Sequence, residues 1–70
     1  MKKALAYRVD HQYSVYGDTG LYVVQFQSTK SYNWVNCAWE TDYDKAKWIC
    51  KALANIDGVS AYDIGGYEMK

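Results

Sequence analysis

The chain has little of what catalysis and metal binding usually require. Its 70 residues include one histidine, His11, and two cysteines, Cys37 and Cys50. Nucleophilic catalysis needs a Ser, Cys or Thr held against a base, and His11 is far in sequence from both cysteines. Two cysteines and one distant histidine also do not make a structural zinc site. We therefore predict a protein without enzymatic activity, metal or cofactor.

Two other catalytic patterns are missing as well. Gly65 and Gly66 are followed by Tyr67 and Glu68, and not by the Lys-Ser pair or the helix start of a phosphate-binding loop. Most of the aspartates that could form a catalytic carboxylate pair are better explained by helix ends, where acidic side chains interact favourably with the helix dipole. A sheet with one helix in so short a chain also offers little depth for a pocket that excludes water.

The chain has no excess of charge of either sign, since eight basic residues balance eight acidic ones. This balance removes the simplest electrostatic arguments for a nucleic-acid binder, a membrane-surface binder or an acidic mimic of nucleic acid. The first residues, 1–6, begin like a signal peptide, but residues 7–10 (Tyr-Arg-Val-Asp) interrupt the apolar run. We expect an uncleaved, cytoplasmic chain in which both cysteines are buried and reduced.

Aromatic residues are abundant, at 17% of the chain, and comprise eight tyrosines, three tryptophans and one phenylalanine. A domain of this size buries only about 60% of the surface that its unfolded chain exposes. Large rings add apolar area to such a small core, but Tyr and Trp also carry polar atoms that need water or a partner. The composition fits either a small core whose edges are exposed to solvent or a surface that binds a partner.

One segment has the pattern of an amphipathic helix, and we predict it to span residues 42–55. Thr41 and Asp44 form a capping-box-like pair at its start, and Asp57 with Gly58 supplies a stop signal at its end. Trp48 falls on the polar side of this helix. The apolar sector contains Ala46, Ile49, Cys50, Leu53 and Ala54.

Three segments alternate between apolar and polar residues as half-buried strands do. The first covers residues 4–10 and either continues to Tyr16 or bulges near His11, and the others cover 21–28 and 32–40. Turns at 17–20 and 28–31 separate them. The side chains predicted to face the core are Leu5, Tyr7, Val9, Tyr22, Val24, Phe26, Val35, Cys37 and Trp39.

Residues 59–64 are predicted to form a fourth strand, because a helix of this length supplies the crossover for parallel pairing beside the first strand. Residues 67–70 would continue that strand or fray. The predicted fold is therefore a single α+β domain of order βββαβ, a three-stranded antiparallel meander with the helix on one face. The other face is open and presents Leu21, Val23 and Trp34.

Between Tyr22 and Ala54, residues 39–42 (Trp-Glu-Thr-Asp) close a strand and residues 45–54 form the helix. This order resembles that of many small phage and prophage accessory proteins, and the resemblance implies a protein that binds a host or defence protein. More loosely, the stretch resembles plant AP2-type DNA-binding domains, which would imply a sheet that enters the major groove through Arg and Trp. Arg8 is the only arginine, so we favour the first resemblance.

Two tryptophans fall on faces that the periodicity makes polar, Trp34 on the third strand and Trp48 on the helix. Trp34 can stack on cross-strand neighbours such as Val23 or Gln25, and Trp48 can fold over the helix edge onto a strand or loop. Alternatively, both are anchors for a protein partner, since Trp and Tyr are enriched at binding hot spots. The leading prediction is a non-enzymatic protein-interaction module.

A second prediction is single-stranded nucleic-acid binding on the open sheet face. Bases would stack on Trp34, together with Tyr13 or Tyr16 according to register, and phosphates would meet Arg8 or Lys30. The zero net charge weighs against it.

A third prediction is a homodimer that covers the apolar patch of Leu21, Val23 and Trp34. Two such faces could pair, or two exposed edge strands could join. In the competing interpretation, the N-terminal segment or residues 65–70 fold across the patch.

Overall fold

A computed structural model describes residues 4–69, which form one four-stranded sheet with a single helix packed on one face. The elements are β1 (Ala4–Ser14), β2 (Gly17–Ser28), β3 (Trp34–Glu40), α1 (Tyr43–Asp57) and β4 (Ser60–Tyr62). The strand order is β3-β2-β1-β4, with the first three strands antiparallel and β4 parallel to β1. The predicted α+β fold of order βββαβ is confirmed.

The N-cap of the helix lies one residue later than the predicted cap, Thr41. Asp42 is the N-cap, and its carboxylate accepts a hydrogen bond from the backbone N–H of Asp44 at 2.9 Å. The prediction that Thr41 caps the helix was therefore wrong, while the predicted stop is confirmed. Gly58 adopts the left-handed conformation with φ of 70°, and its N–H bonds the carbonyls at the end of the helix.

The turn between β1 and β2 lies at Val15–Tyr16, and not at the predicted residues 17–20. Gly17, with φ of 109°, closes this turn and already belongs to β2. Gln12 pairs with Leu21 and the next residue, Tyr13, pairs with Asp18, so Thr19 and Gly20 are two extra residues in β2. The glycines thus supply positive φ at a turn end and at a bulge, and β1 passes His11 unbroken.

The second loop is longer than predicted and delays β3 to Trp34. The hydroxyl of Ser28 accepts hydrogen bonds from the N–H groups of Lys30 and Ser31. Tyr32 has a φ of 61°, in the left-handed region that non-glycine residues rarely adopt. Because a strand needs extended backbone, β3 cannot begin at Tyr32 as predicted.

Two irregularities change which side chains face the helix. In β1, a register shift between Ala4 and Tyr7 places Ala4, rather than the predicted Leu5, in the core. In β3, Val24 pairs with Ala38 and Gln25 with Asn36, so the intervening Cys37 has no partner in the ladder. The extra residue reverses the alternation that follows it.

The three core predictions for β3 were wrong, and the reversed alternation explains Trp39, which pairs with Val23 on the open face and is half exposed. Cys37 lines a cavity with Phe26 and Leu53 on the helix side, but it is exposed. Val35 pairs with Phe26, as the alternation requires, but it lies at the sheet edge and is exposed as well.

The core lies between the sheet and the apolar side of α1. Ile49 and Leu53 of the helix pack against it, together with Tyr22 and Phe26 of β2. The buried residues of this cluster are Ala4, Tyr7, Val9, Val24, Ala46, Cys50, Ala54 and Ala61. The apolar sector predicted for the helix is therefore confirmed. Within residues 4–69, no helix is both long enough and apolar enough to cross a membrane.

The fourth strand is shorter than predicted, and the chain after it turns back. Glu68 forms an antiparallel bridge with Tyr62, and the N–H of Met69 donates to the carbonyl of Ala61 at 2.8 Å. Residues 67–69 therefore neither continue β4 nor fray, but pair along its outer edge. Lys70 lies outside the described residues.

Candidate binding surfaces

An exposed aromatic surface lies between the helix and the segment that follows β4, and we call it the helix–tail groove. It encloses about 480 Å³. Trp48 and Tyr67 are 71% and 77% exposed. The groove is lined by Asp44, Lys47, Trp48, Lys51, Asp63, Tyr67, Glu68 and Met69. Trp48 does not fold over the helix edge, so the structural interpretation of this residue was wrong.

Local hydrogen bonds fix the two walls of the groove relative to each other. The hydroxyl of Tyr43, in the first helical turn, donates to the carboxylate of Asp63, which also accepts from the N–H of Ile64 at 2.7 Å. The hydrogen bond to Asp63, together with burial, raises the pKa of Tyr43 from its ordinary value of 10.0 to about 12. Tyr43 therefore ties the helix start to the turn that carries Tyr67.

Charges of both signs surround the aromatic pair. Lys47 lies 3.7 Å from a carboxylate oxygen of Asp44 and 4.6 Å from the ring centre of Tyr43. On the other wall, Asp63 and Glu68 supply carboxylates. Because the groove has no dominant charge, it suits an apolar side chain flanked by polar groups better than a phosphate backbone.

The groove continues toward the end of the helix. A second cavity of about 310 Å³ shares Lys51, Glu68 and Met69 with the first and extends to Val59 and Ser60. The combined surface is therefore elongated along the helix.

Trp34 lies on the open face of the sheet, as predicted, and is half buried. The guanidinium carbon of Arg8 is 4.1 Å from the centre of its ring. Arg8 is held in turn by Gln25, which accepts a hydrogen bond from its Nε at 2.8 Å. One face of the Trp34 ring is thus already occupied by a cation from the same chain.

The apolar patch predicted for self-association is partly covered within one chain. Val23 is only 2% exposed and Leu21 is half buried. Of the segments in the competing interpretation, Gly65 and Gly66 line a cavity with Trp34, and residues 1–3 lie outside the described residues. The indole of Trp39 reaches from β3 across β2 to Gln12 of β1, to which it donates a hydrogen bond at 3.1 Å.

Tyr13 and Tyr16 are not brought near Trp34. Tyr16 is 97% exposed at the tip of the β1–β2 hairpin. Trp34 pairs with Gln27 near the opposite end of β2, roughly 30 Å away by the rise of an extended strand. Tyr13 instead lies with its ring centre 5.9 Å from that of His11. The structure therefore does not assemble the predicted row of stacking rings.

The two cysteines are free thiols in different environments. Cys50 is fully buried in the core, and burial raises its pKa from an ordinary 9.0 to about 12. Cys37 is exposed, contrary to the prediction, although its Sγ lies 3.2 Å from the carbonyl oxygen of Val24. Across residues 4–69, no three His, Cys, Asp or Glu side chains cluster in a way that could hold a metal ion.

Helical periodicity indicated Trp48 as a site residue, but no sequence pattern indicated Tyr67 directly. The available signal was the adjacent pair Gly65 and Gly66, whose φ values of 91° and 87° reverse the chain after β4. The sequence indicated Arg8 as a contact to nucleic acid, and nothing in it marked Tyr62 as a site residue.

The chain matches no protein-family model, no curated protein and no solved structure.

Proposed function

We propose that this protein is a non-enzymatic protein-interaction module that binds its partner through the helix–tail groove. The observation that carries the proposal is the exposure of Trp48 and Tyr67 on the two walls of one groove. Leaving two large rings in water forgoes apolar burial that a small domain needs, and a partner that covers them recovers it.

The lining of the groove indicates the chemistry of the partner segment. An aliphatic or aromatic side chain of the partner would pack against Trp48 and Tyr67, at the centre of the contact. An acidic group beside it would meet Lys47, and a basic group would meet Glu68 on the facing wall. The resemblance to phage and prophage accessory proteins suggests that the partner is a host protein. The module would then inhibit or modulate that protein.

Single-stranded nucleic acid fits this geometry less well. The rings on the open sheet face are engaged internally, Trp34 by Arg8 and Trp39 by Gln12. Asp10 lines the same cavity as Trp34, and its carboxylate would repel phosphates there. Titration with oligonucleotides at low salt, followed by tryptophan fluorescence, separates the two functions, and we expect no change in the signal.

Binding measurements with matched variants test the proposal. The wild-type protein is used to capture a partner, the partner is purified, and its affinity is measured for Trp48→Ala and Tyr67→Ala. We expect each substitution to weaken binding by about 30-fold, the factor that corresponds to a hot-spot loss of about 2 kcal/mol.

Tyr16→Ala is the matched control, because Tyr16 is an even more exposed ring outside the groove. It should leave the affinity unchanged. If both groove variants stay folded and bind the partner as tightly as the wild type, the helix–tail groove is not the binding site. Loss of binding in Trp34→Ala alone would place the site on the open sheet face.

A further inference from the structure

A separate cavity lies on the open face of the sheet, and we call it the Arg8 pocket. Its volume is about 440 Å³, within the range of about 300–1,000 Å³ that is typical of small-ligand sites. The rings of Trp34 and Tyr62 line it from the two outermost strands. Arg8 and Asp10 are its charged side chains from β1, while the carboxylate of Asp63, another lining residue, is bound to Tyr43 of the helix.

Side-chain hydrogen bonds hold Arg8 in one orientation. Its Nε donates to Oε1 of Gln25 at 2.8 Å, and the amide of Gln25 donates to Oδ1 of Asn36 at 2.8 Å. The guanidinium also lies over the ring of Trp34. These contacts engage Nε and one face of the group, which leaves the terminal N–H groups as a pre-organised fork for a carboxylate.

The charges that line the Arg8 pocket do not neutralise one another. In the described part of the chain, Asp10 does not lie within 4.0 Å of a nitrogen of Arg8, although both residues line the same cavity. A cation and a carboxylate that share a pocket but stay apart are complementary to a ligand that carries both charges itself.

We propose that the Arg8 pocket binds a small zwitterion of the α-amino acid class with an apolar side chain. The ligand carboxylate accepts hydrogen bonds from the terminal N–H groups of Arg8, and its ammonium group faces Asp10. Its side chain packs between Trp34 and Tyr62. This site lies across the sheet from α1 and is independent of the partner proposed for the helix–tail groove.

Three matched probes test the need for both charges. L-leucine carries both, isocaproate lacks the ammonium group and isoamylamine lacks the carboxylate. Each is titrated to millimolar concentration into the isotope-labelled, full-length protein, and amide shifts are followed by two-dimensional NMR. We expect leucine to shift the amides around Arg8 and Tyr62, and each analogue to bind about tenfold more weakly, as the loss of one charge-assisted hydrogen bond implies.

Two substitutions in the pocket and one outside it complete the test. Arg8→Gln and Asp10→Asn should each weaken leucine binding by about tenfold, and Trp48→Ala should not change it. The Asp10→Asn variant keeps an oxygen for the N–H of His11, which the carboxylate now accepts at 2.8 Å, so we expect it to stay folded. The proposal is overturned if leucine causes no shifts, if the three probes bind equally, or if both pocket variants bind leucine as the wild type does.

Discussion

The indole Nε1–H of Trp39 donates a hydrogen bond to Oε1 of Gln12 across a strand to which neither residue belongs. Trp39 lies in β3 and Gln12 in β1, so the ring must cross β2. Val23, which pairs with Trp39, is almost completely buried there. One side chain thus covers part of the sheet face that has no helix.

Replacing Trp39 with alanine should therefore expose Val23 and destabilise the fold. We expect a loss of about 1–2 kcal/mol in the free energy of unfolding, because a buried valine and part of an indole become accessible to water. Urea denaturation followed by circular dichroism measures this loss.

Trp48→Ala is the matched control, since Trp48 is a tryptophan that covers no described core residue. It should change the free energy of unfolding by less than about 0.5 kcal/mol. Equal losses in the two variants would contradict the role assigned to Trp39.

Alkaline pH should weaken the link between the helix start and the turn after β4. The hydrogen bond to Asp63 and burial raise the pKa of Tyr43 from 10.0 to about 12. The stability that this group contributes is complete below its unfolded pKa and is lost as the pH rises through its folded pKa. The free energy of unfolding should therefore decrease between pH 10 and pH 12.

Tyr43→Phe separates this contribution from the others. At neutral pH the variant should be less stable by about 1 kcal/mol, because it lacks one hydrogen bond. Its stability should then fall less steeply with pH than that of the wild type. Some decrease should persist, since the pKa of the Cys50 thiol is also raised, to about 12. Parallel curves for the two proteins would show that Tyr43 does not titrate in this way.

The two cysteines should react differently with an alkylating reagent. Cys37 is exposed and should be modified slowly at neutral pH, because partial burial raises its pKa as well. Cys50 is buried and should react only after unfolding. Mass spectrometry of the native protein should thus show one adduct, and denatured protein two. Two adducts in the native protein would contradict the burial of Cys50.

The backbone of Tyr32 offers a route to a more stable protein. Its φ of 61° is strained for a tyrosine, and Asn adopts this conformation more readily. Tyr32→Asn should raise the free energy of unfolding by about 0.5–1 kcal/mol, measured by urea denaturation. A decrease would mean that the exposed ring contributes more than the strain costs.

The elements of this fold could be predicted because each has a local signal. Apolar periodicity locates the strands and the helix, and Gly58 ends the helix in the left-handed conformation. The faces of β1 and β3 were harder to predict, since one extra residue reverses the alternation and nothing local marks Cys37 as that residue. The turn at Val15–Tyr16 was missed because Gly17 closes it from within β2, while Gly20 serves a bulge.

One half of the candidate site could also be predicted from local sequence, and the other half could not. Helical periodicity alone places Trp48 on the polar side of the helix, so its exposure could be expected. The position of Tyr67 depends on pairing between Glu68 and Tyr62, a contact that forms only when the chain reverses beside β4. Self-association and the choice of partner depend on a second molecule, and both stay predictions. The solution mass over a hundredfold range of concentration tests the dimer.

The most direct test of the helix–tail groove uses the three tryptophans as reporters of three surfaces. Trp34 reports the Arg8 pocket, Trp39 the covered part of the open face, and Trp48 the groove. The partner captured by the wild-type protein is titrated into labelled protein while the three indole N–H signals are followed by NMR. The signal of Trp48 should shift or broaden and the other two should stay in place. A response from Trp34 or Trp39 with no change at Trp48 would contradict the proposed binding site.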